Sequence, residues 1–344
     1  MEFLPDGFRH CGLTTEVVCD EHAILTAEGD CCIAEVEDFD PVAFRPLCHA
    51  HRHGHMIHLR PRQQVALILA HRRSLMELSS TLERYHLRTG DAVTLLGGDG
   101  YAGSYFSVLG SYGTPVQARI LGGIVEPGTE RLLNTRARPW VPPPAAEPRP
   151  DHAPLVIGIA GVRMDSGKST VGRNLARQFE AAGQTVAFGK VTGFGCLYET
   201  RAIVDGLAID FTDFGLPSTC GPDTARIVSL ASQVVDALAA AGPDVILLEF
   251  GGDLIGPYRV TECLEALAPR LHHLVFVAFD LCGVNGAVEH LRPLGLVPDT
   301  ISGPIANNPL GVTLIREQFG LHAESSLEPM TETVARISSG VSPR

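Results

Sequence analysis

The segment from residue 155 to 182 limits the fold of this chain more than any other part of its sequence. Leu155–Ala160 is a short apolar run, and Gly161–Gly167 follows it as a segment with glycine at both ends. Over Lys168–Ala182 apolar residues recur at helical spacing until Gly183 ends the pattern. A buried strand that passes through a glycine-containing loop into a helix is the start of a βαβ unit. The segment therefore predicts an α/β fold with a parallel sheet.

The remainder of the second half repeats this alternation of apolar strands and amphipathic helices. Strands are predicted at Thr185–Lys190, Val245–Glu249, His273–Phe279 and Thr300–Ile305, and helices at Asp223–Ala241, Gly286–Leu294, Leu310–Phe319 and Pro329–Ile337. Strands that are apolar along their whole length are typical of parallel sheets that are buried on both faces. The pattern therefore predicts a doubly wound, mostly parallel sheet.

A proline-rich stretch at residues 139–154 separates this region from the first half. Proline at this density favours an extended, semi-rigid spacer over a helix or a central strand. We therefore predict an accessory N-terminal domain at 1–138, a linker at 139–154 and an α/β domain at 155–344. In the first domain, strands are predicted at Val65–Ala70, Ala92–Leu96 and Val116–Ile124, and a helix at Arg72–His86. The first domain is thus predicted to be smaller, and mixed α/β or β-rich.

Charge and hydropathy exclude several classes of partner. The net charge of −12 is spread over both halves of the chain, so neither half offers the basic face that nucleic-acid binding requires. No apolar run approaches the ~20 residues needed to span a bilayer. The N-terminus lacks the basic and apolar regions of a signal peptide, and the nine cysteines are then expected to be reduced thiols. These features predict a cytoplasmic protein that binds neither nucleic acid nor membrane.

Lysine is almost absent from the sequence. Lys168 and Lys190 are the two lysines among 27 basic residues, which leaves 25 arginines (27 − 2). Arginine replaces lysine readily wherever a solvated positive charge is sufficient, but not where a compact ammonium group is needed. Both lysines are therefore candidates for a functional role.

Lys168 lies in a segment that is typical of a phosphate-binding loop. Backbone N–H groups of such a loop and the helix N-terminus bind polyphosphate, the lysine reaches the β- and γ-phosphates, and the following hydroxyl ligates Mg²⁺. The candidate nucleotide-binding residues are Gly161, Arg163, Met164, Asp165, Ser166, Gly167, Lys168, Ser169 and Thr170. Five residues rather than the usual four separate the two glycines.

This five-residue spacing resembles dethiobiotin synthetase, the related cobyrinic acid amidases and the wider class of deviant Walker A proteins. That class includes the MinD/ParA ATPases and the nickel-enzyme GTPases. Further segments are similar to dethiobiotin synthetase: Phe188–Gly193, Val245–Pro257, and Val284–Leu296 followed by Ile301–Asn308. Arg163 stands where MinD-type proteins have a signature lysine. The resemblance covers most of residues 155–320 and implies a P-loop NTPase domain.

The resemblance also implies roles for individual residues. Lys190 would bind substrate carboxylate or phosphate, Glu249 would bind Mg²⁺, and Asn307 and Asn308 would contact the adenine. A second metal carboxylate is expected between the second and third strands of the domain, with Asp213 the first choice and Asp210 and Asp205 the next. Lys168, Lys190 and Glu249 are the expected catalytic residues.

These roles imply an ATP- and Mg²⁺-dependent, ligase-like enzyme. It would phosphorylate a carboxylate or carbamate of a small acidic metabolite for C–N bond formation, and a homodimer is expected. A nucleotide-sensing partner protein, which binds nucleotide without turnover, is one alternative.

A histidine-rich segment supports a different alternative. His49, His51, His53 and His55 alternate, so an extended chain would place them on one side. Imidazoles suit Zn²⁺ or Ni²⁺, and Cys11, Cys19, Cys31 and Cys32 could complete a site. Nickel-insertion GTPases also combine a phosphate loop with histidine-rich segments. A nucleotide-gated metal-delivery GTPase is therefore possible, although the sequence has no Asn-Lys-x-Asp guanine motif.

A second glycine motif at Gly98–Gly103 fits the spacing of a dinucleotide-binding loop. Such a loop must be followed by a full helix, and the residues after it are interrupted by Gly110 and Gly113. The motif is therefore predicted to be a turn.

Overall fold

The computed structural model describes residues 4–13, 17–39, 49–52, 55–75, 78–82, 86–108, 113–137 and 153–340. Within it the chain forms two compact units. The first contains Met1–Val141 and two later segments, Phe194–Tyr198 and Phe211–Gly221. The second contains Pro142–Gly193, Glu199–Asp210 and Pro222–Arg344. The predicted linker lies outside the described residues except for its last two positions.

The described part of the first unit is rich in strands. They are β1 (Cys19–Asp20), β2 (Cys31–Val36), β3 (His49–Arg52), β4 (His55–His58), β5 (Gln64–Leu69), β6 (Arg72–Arg73), β7 (Leu78–Thr81), β8 (Ala92–Gly97), β9 (Tyr101–Val108) and β10 (Gln117–Ile124). Strands β10, β2, β5, β9 and β8 pair in this order, and β8 also pairs with β10. These five strands therefore close into a barrel, in which the β5–β9 pair is parallel and the others are antiparallel.

The strands predicted in the first half are confirmed as β5, β8 and β10. Of the turn predicted at Gly98–Gly103, residues 98–100 join β8 to β9, and the rest belongs to β9. The helix predicted at Arg72–His86 is wrong, because the described part of this segment contains β6 and β7. The Ser79 and Ser80 hydroxyls donate to backbone carbonyls of Ser74 and Ala70, and such bonds compete with helix formation. Strand β7 also pairs with β9, which is distant in sequence.

The second unit alternates strands and helices. The strands are β11 (Leu155–Gly161), β12 (Val186–Thr192), β13 (Ala208–Asp210), β14 (Val245–Phe250), β15 (His273–Val277), β16 (Thr300–Ser302) and β17 (His322–Ala323), and the helices are α1 (Lys168–Ala181), α2 (Leu197–Arg201), α3 (Thr224–Ala240), α4 (Val260–Leu267), α5 (Leu281–Leu291), α6 (Pro309–Phe319) and α7 (Thr331–Ser338). Helix α2 begins in residues of the first unit and ends in the second.

The described strands of this unit form a seven-stranded parallel sheet in the order β13-β12-β14-β11-β15-β16-β17. The α/β fold with a parallel sheet is thus confirmed. Strand β11 is in the middle, so the loop that follows it lies at the centre of the carboxyl edge. That edge is where open α/β sheets bind their ligands.

Packing of α1 against the sheet fixes where this loop begins and ends. Val171, Leu175 and Phe179 recur at four-residue steps on α1 and are fully buried. They pack with sheet residues such as Ile159 of β11 and Leu247 of β14. Because α1 starts at Lys168, this packing holds the lysine at the carboxyl edge.

Among the residues that the structure describes, no helix is long and apolar enough to cross a membrane.

Candidate functional site

Two glycines give the loop between β11 and α1 its shape. A Cβ on Gly161 would lie 2.5 Å from the Ser166 Oγ and 3.1 Å from the Val277 carbonyl oxygen, so only glycine fits there. Gly167 has a φ of 102°, a left-handed conformation that favours glycine, and it directly precedes α1. The loop therefore folds back closely on itself between these two residues, as a cradle for an anion requires.

Lys168 is held against this loop by backbone oxygens. Its Nζ donates to the Arg163 carbonyl at 2.8 Å and to the Gly252 carbonyl at 3.2 Å. The side chain is buried, and burial lowers the pKa of Lys168 although the nearby carboxylates of Glu249 and Asp253 act in the opposite direction. The ammonium group thus lies where the loop and the end of β14 meet.

The next residue links the loop to the acidic strand β14. Ser169 Oγ donates to Glu249 Oε2 at 2.9 Å, and Glu249 is 6% exposed. A serine hydroxyl beside a buried carboxylate at the start of α1 is a suitable pair of ligands for Mg²⁺, which usually takes few protein ligands in phosphate sites. The sequence predicted both residues as metal ligands.

Lys190 lies between two buried carboxylates along the carboxyl edge. In the sheet register Lys190 pairs with Asp210 of β13 on one side and with Glu249 of β14 on the other. Asp210 is fully buried and accepts a hydrogen bond from Thr200 Oγ1 at 2.9 Å. Partners in a parallel register direct their side chains to the same face. The second unit by itself therefore places Asp210, Lys190 and Glu249 side by side.

Asp213, the first choice from sequence for a second metal carboxylate, belongs to the first unit. Its Oδ1 accepts hydrogen bonds from Arg9 Nε at 2.9 Å and Arg9 Nη2 at 2.7 Å, and it lies 2.7 Å from His10 Nε2. These contacts give the buried Asp213 carboxylate a structural role. Among the carboxylates considered from sequence, Asp210 is the one that the structure places beside Lys190.

Arg163 and the pair Asn307 and Asn308 have contacts of their own. The guanidinium of Arg163 stacks on the Phe279 ring at 4.1 Å from its centroid. Asn308 caps α6 by accepting a hydrogen bond from the Leu310 amide at 2.9 Å. Capping accounts for Asn308 without a ligand.

Asn307, in contrast, lines a cavity of about 540 Å³ together with residues of α6 and the segment after β17. Its Oδ1 accepts hydrogen bonds from Ser325 Oγ at 2.9 Å and the Ser326 amide at 3.1 Å. Asn174 of α1 donates to the carbonyls of Ser326 and Glu328, so the cavity wall is tied to α1. Asn174 is six positions after Lys168 on α1, a rise of about 9 Å. The structure thus places Asn307 at a cavity whose wall is hydrogen-bonded to α1, the helix that begins at Lys168.

Asp253 is a site residue that the sequence did not indicate. Its Oδ1 accepts a hydrogen bond from the Met164 amide of the loop at 2.9 Å, and the residue is 3% exposed. The sequence feature that could have indicated Asp253 is its position directly after the glycine pair that follows β14. Ser166 is buried in the same loop, and its Oγ has no hydrogen-bond partner among the described residues.

The histidine-rich segment forms the β3–β4 hairpin. Its register pairs His49 with His58, His51 with Met56, and Arg52 with His55. Positions 49 and 51 belong to β3 and His55 to β4, so the single extended chain expected for the alternating histidines is not what the described residues form. His53 lies outside the described residues. Within the described ranges no group of three His, Cys, Asp or Glu side chains could hold a metal ion.

No protein-family model matches the sequence, and no curated protein matches it. Solved structures with local similarity include the signal recognition particle receptor FtsY from Elizabethkingia anophelis (18% identity, 53% of this chain and 60% of that chain, TM-score 0.36). A nucleotide-binding protein from Archaeoglobus fulgidus in complex with ADP is 12% identical over 54% of this chain and 86% of that chain, with a TM-score of 0.39. A ParA family ATPase from Chlorobium tepidum is 15% identical over 55% and 90%, with a TM-score of 0.37.

The chain spans 60% of the length of the first of these structures. Similarities at these identities and TM-scores do not identify a function, so the geometry of the site is the evidence for one. That geometry is a glycine-bounded loop at the centre of a parallel sheet, with the Lys168 ammonium group beside it and Ser169 hydrogen-bonded to Glu249.

Proposed function

We propose that this protein is an ATP- and Mg²⁺-dependent enzyme of the dethiobiotin synthetase type. It would transfer the γ-phosphoryl group of ATP to a carboxylate or carbamate oxygen of a small acidic metabolite, for C–N bond formation. The observation that carries this proposal is the row of Asp210, Lys190 and Glu249 at the carboxyl edge, next to the phosphate loop. A site for nucleotide binding alone has no need of a second buried ammonium group there.

The residues present fit a magnesium ion. Ser169 and Glu249 are already in contact, and Asp210 lies two strands from β14 on the same edge. Carboxylate and hydroxyl oxygens are the ligands that Mg²⁺ prefers. When bound, the ion would neutralise charge on the phosphate oxygens.

The side chains of the chain then supply positioning and charge. The loop amides and Lys168 would bind the β- and γ-phosphates, and Lys190 would hold the substrate carboxylate or carbamate in line with the γ-phosphorus. As the substrate oxygen bonds to phosphorus, the bond from phosphorus to the bridging oxygen breaks and ADP leaves. An amine then attacks the acyl phosphate, and inorganic phosphate leaves.

Separate substitutions of the two lysines test whether Lys168 binds the phosphates and Lys190 binds the acceptor substrate. We expect Lys168→Ala to weaken Mg²⁺-ATP binding at least tenfold, because a charge-assisted phosphate contact is worth more than about 1.4 kcal/mol. Lys190→Ala should leave ATP affinity within about twofold and abolish phosphoryl transfer, because Lys190 acts on the acceptor substrate. Calorimetry with ATP and GTP gives the affinities, and a screen of carboxylate and carbamate metabolites gives turnover.

Arg173→Ala is the control for loss of a basic side chain on α1, because Arg173 has an exposed hydrogen bond to the Ala202 carbonyl. Purified protein that neither binds nor hydrolyses ATP in the presence of candidate metabolites would refute the proposal. A preference for GTP that Ni²⁺ or Zn²⁺ strengthens would instead support metal delivery. ATP binding without turnover of any candidate would support a nucleotide-sensing role.

A further inference from the structure

A buried carboxylate lies against the phosphate loop in a position that disfavours a bound polyphosphate. Asp253 Oδ1 accepts a hydrogen bond from the Met164 amide, while Oδ2 is buried and has no hydrogen-bond partner among the described residues. An unpaired buried carboxylate oxygen retains its desolvation penalty. This side chain is therefore held in a costly environment within a loop built to bind anions.

The residue before Asp253 is hydrogen-bonded to the Lys168 ammonium group, which is expected to bind phosphate. The Gly252 carbonyl oxygen accepts a hydrogen bond from Lys168 Nζ at 3.2 Å. Two adjacent residues thus bind one loop amide and the loop ammonium group. A phosphate oxygen that accepted from the Met164 amide would have to replace Asp253 Oδ1, because that amide has one N–H, whereas the Lys168 ammonium group has a third N–H beyond these contacts.

The segment around Asp253 combines several glycines with two anchored carbonyls, since Thr192 and Thr261 donate to the carbonyls of Gly251 and Leu254 at 2.8 Å. Gly252 has a φ of 96°, and Gly251, Gly252 and Gly256 surround Asp253 in the sequence. Glycine has few steric restrictions on φ and ψ, so a short segment rich in it can absorb a backbone rearrangement. Ile255, two residues further on, is 67% exposed, whereas Leu254 is 4% exposed.

We propose that Asp253 is an affinity-determining residue of the nucleotide site, whose carboxylate competes with phosphate for the donors of the loop. Nucleotide binding displaces Asp253 from the Met164 amide. The inference rests on the proposed function only in that the loop must bind polyphosphate, and it does not depend on which group accepts the phosphoryl.

The substitution Asp253→Asn tests the competition directly. The amide oxygen of asparagine can still accept the bond from the Met164 amide, but the negative charge is removed. We expect Mg²⁺-ATP, ADP and pyrophosphate to bind about fivefold to tenfold more tightly, because charge-assisted hydrogen bonds are roughly twice as strong as neutral ones. Calorimetry measures these affinities.

Asp299→Asn is the matched control. Asp299 is 1% exposed and accepts a hydrogen bond from the Leu274 amide at 2.8 Å, but it precedes β16 at the opposite, amino edge of the sheet. Its substitution should leave all three affinities unchanged. Equal gains in both variants would show a general effect of net charge and would overturn the inference.

Hydrogen exchange on the wild-type chain provides a second measurement that does not depend on folding of the variant. Nucleotide should slow exchange in 162–170 and accelerate it in 251–256, because the second segment is displaced. The inference is overturned if exchange in 251–256 does not change on binding. It is also overturned if Asp253→Asn binds more weakly, which would make Asp253 a ligand of nucleotide or metal.

If Asp253→Asn binds nucleotide more tightly but no phosphoryl transfer is found, the inference stands and the proposed enzyme function fails. If neither variant nor wild type binds pyrophosphate or nucleotide, both fail.

Discussion

At the scale of single residues, Gly161 shows how closely the loop is fitted. The glycine pattern in the sequence indicates a loop, but it does not indicate what each glycine must avoid. In the folded chain Ser166 turns back over Gly161, at a distance that excludes any Cβ. The same fold leaves the Ser166 hydroxyl buried, close to where a phosphate would lie.

We expect Gly161→Ala to weaken Mg²⁺-ATP binding more than tenfold, because the loop must shift to make room for the methyl group. The chain should still fold, since the adjacent core residues are unchanged. Calorimetry measures affinity, and urea unfolding measures stability. Gly286→Ala is the control: no atom lies within 4 Å of its Cβ position, and it is in the interior of α5. That variant should bind normally, and equal affinity of Gly161→Ala would contradict the steric argument.

At the scale of elements, the helices of the second unit differ in how their N-termini are stabilised. Asp223, Asp280 and Asn308 cap α3, α5 and α6 with their own side chains. Local capping of this kind can be found in a sequence. Helix α7 has no side-chain cap from its N-cap residue Met330. The side chain of Glu324, which lies before the helix in sequence, caps α7 instead. It accepts hydrogen bonds from the Glu332 amide at 3.1 Å and the Thr333 amide at 2.7 Å.

We expect Glu324→Gln to lower the free energy of unfolding by about 2 kcal/mol near neutral pH, because one acceptor oxygen becomes a donor facing amide N–H groups. Burial by itself would raise the pKa of Glu324, but hydrogen bonds from His322, Thr333 and Glu332 prevail and lower it below 4.5. The stabilisation by the charged form is therefore present above that value and is lost as pH falls through the lowered pKa. Urea unfolding at about pH 7 and about pH 3 should show the difference between variant and wild type shrink in acid.

Glu328→Gln is the control for this comparison, because Glu328 is exposed and lines the same cavity. It should change the unfolding free energy by less than about 0.5 kcal/mol at either pH. A Glu324→Gln difference that stays constant or grows in acid would contradict the capping role.

At the scale of the whole molecule, the chain order and the compact units do not coincide. Phe194–Tyr198 and Phe211–Gly221 come from the second half of the sequence but belong to the first unit. The Leu197 amide donates to the buried Asp99 carboxylate at 2.7 Å, and Thr135 Oγ1 donates to the Gly215 carbonyl at 3.0 Å. Folding of the first unit therefore requires residues that are synthesised after the phosphate loop.

We expect Asp213→Ala to lower the free energy of unfolding by about 3 kcal/mol, because it removes the carboxylate that binds the largely buried Arg9 guanidinium. Urea unfolding measures this change. Asp205→Ala, at an exposed position, is the control and should have little effect. Unchanged stability together with a loss of Mg²⁺-dependent ATP affinity would contradict the structural role and restore Asp213 as a metal ligand.

The sequence by itself determined the parallel α/β fold of the second unit and the position of the glycine-bounded loop between β11 and α1. Both follow from local patterns: apolar strands, helical periodicity and the glycines on either side of 162–166. Periodicity also located α1, α3, β11, β12, β14 and β15 within a few residues. Short elements such as β13, α4 and β17 were not predicted, because so few residues carry no distinct period.

Only the tertiary structure decided which carboxylates lie at the loop and how the first unit closes. Asp210 is beside Lys190 because β13 pairs with β12, and Asp253 reaches Met164 because β14 and β11 are adjacent strands. The barrel closes through pairs such as β8 with β10, and strand pairing of this kind overrode the helical pattern at Arg72–His86. Each of these contacts joins residues distant in sequence, and their free energy depends on the partner strand rather than on the local chain.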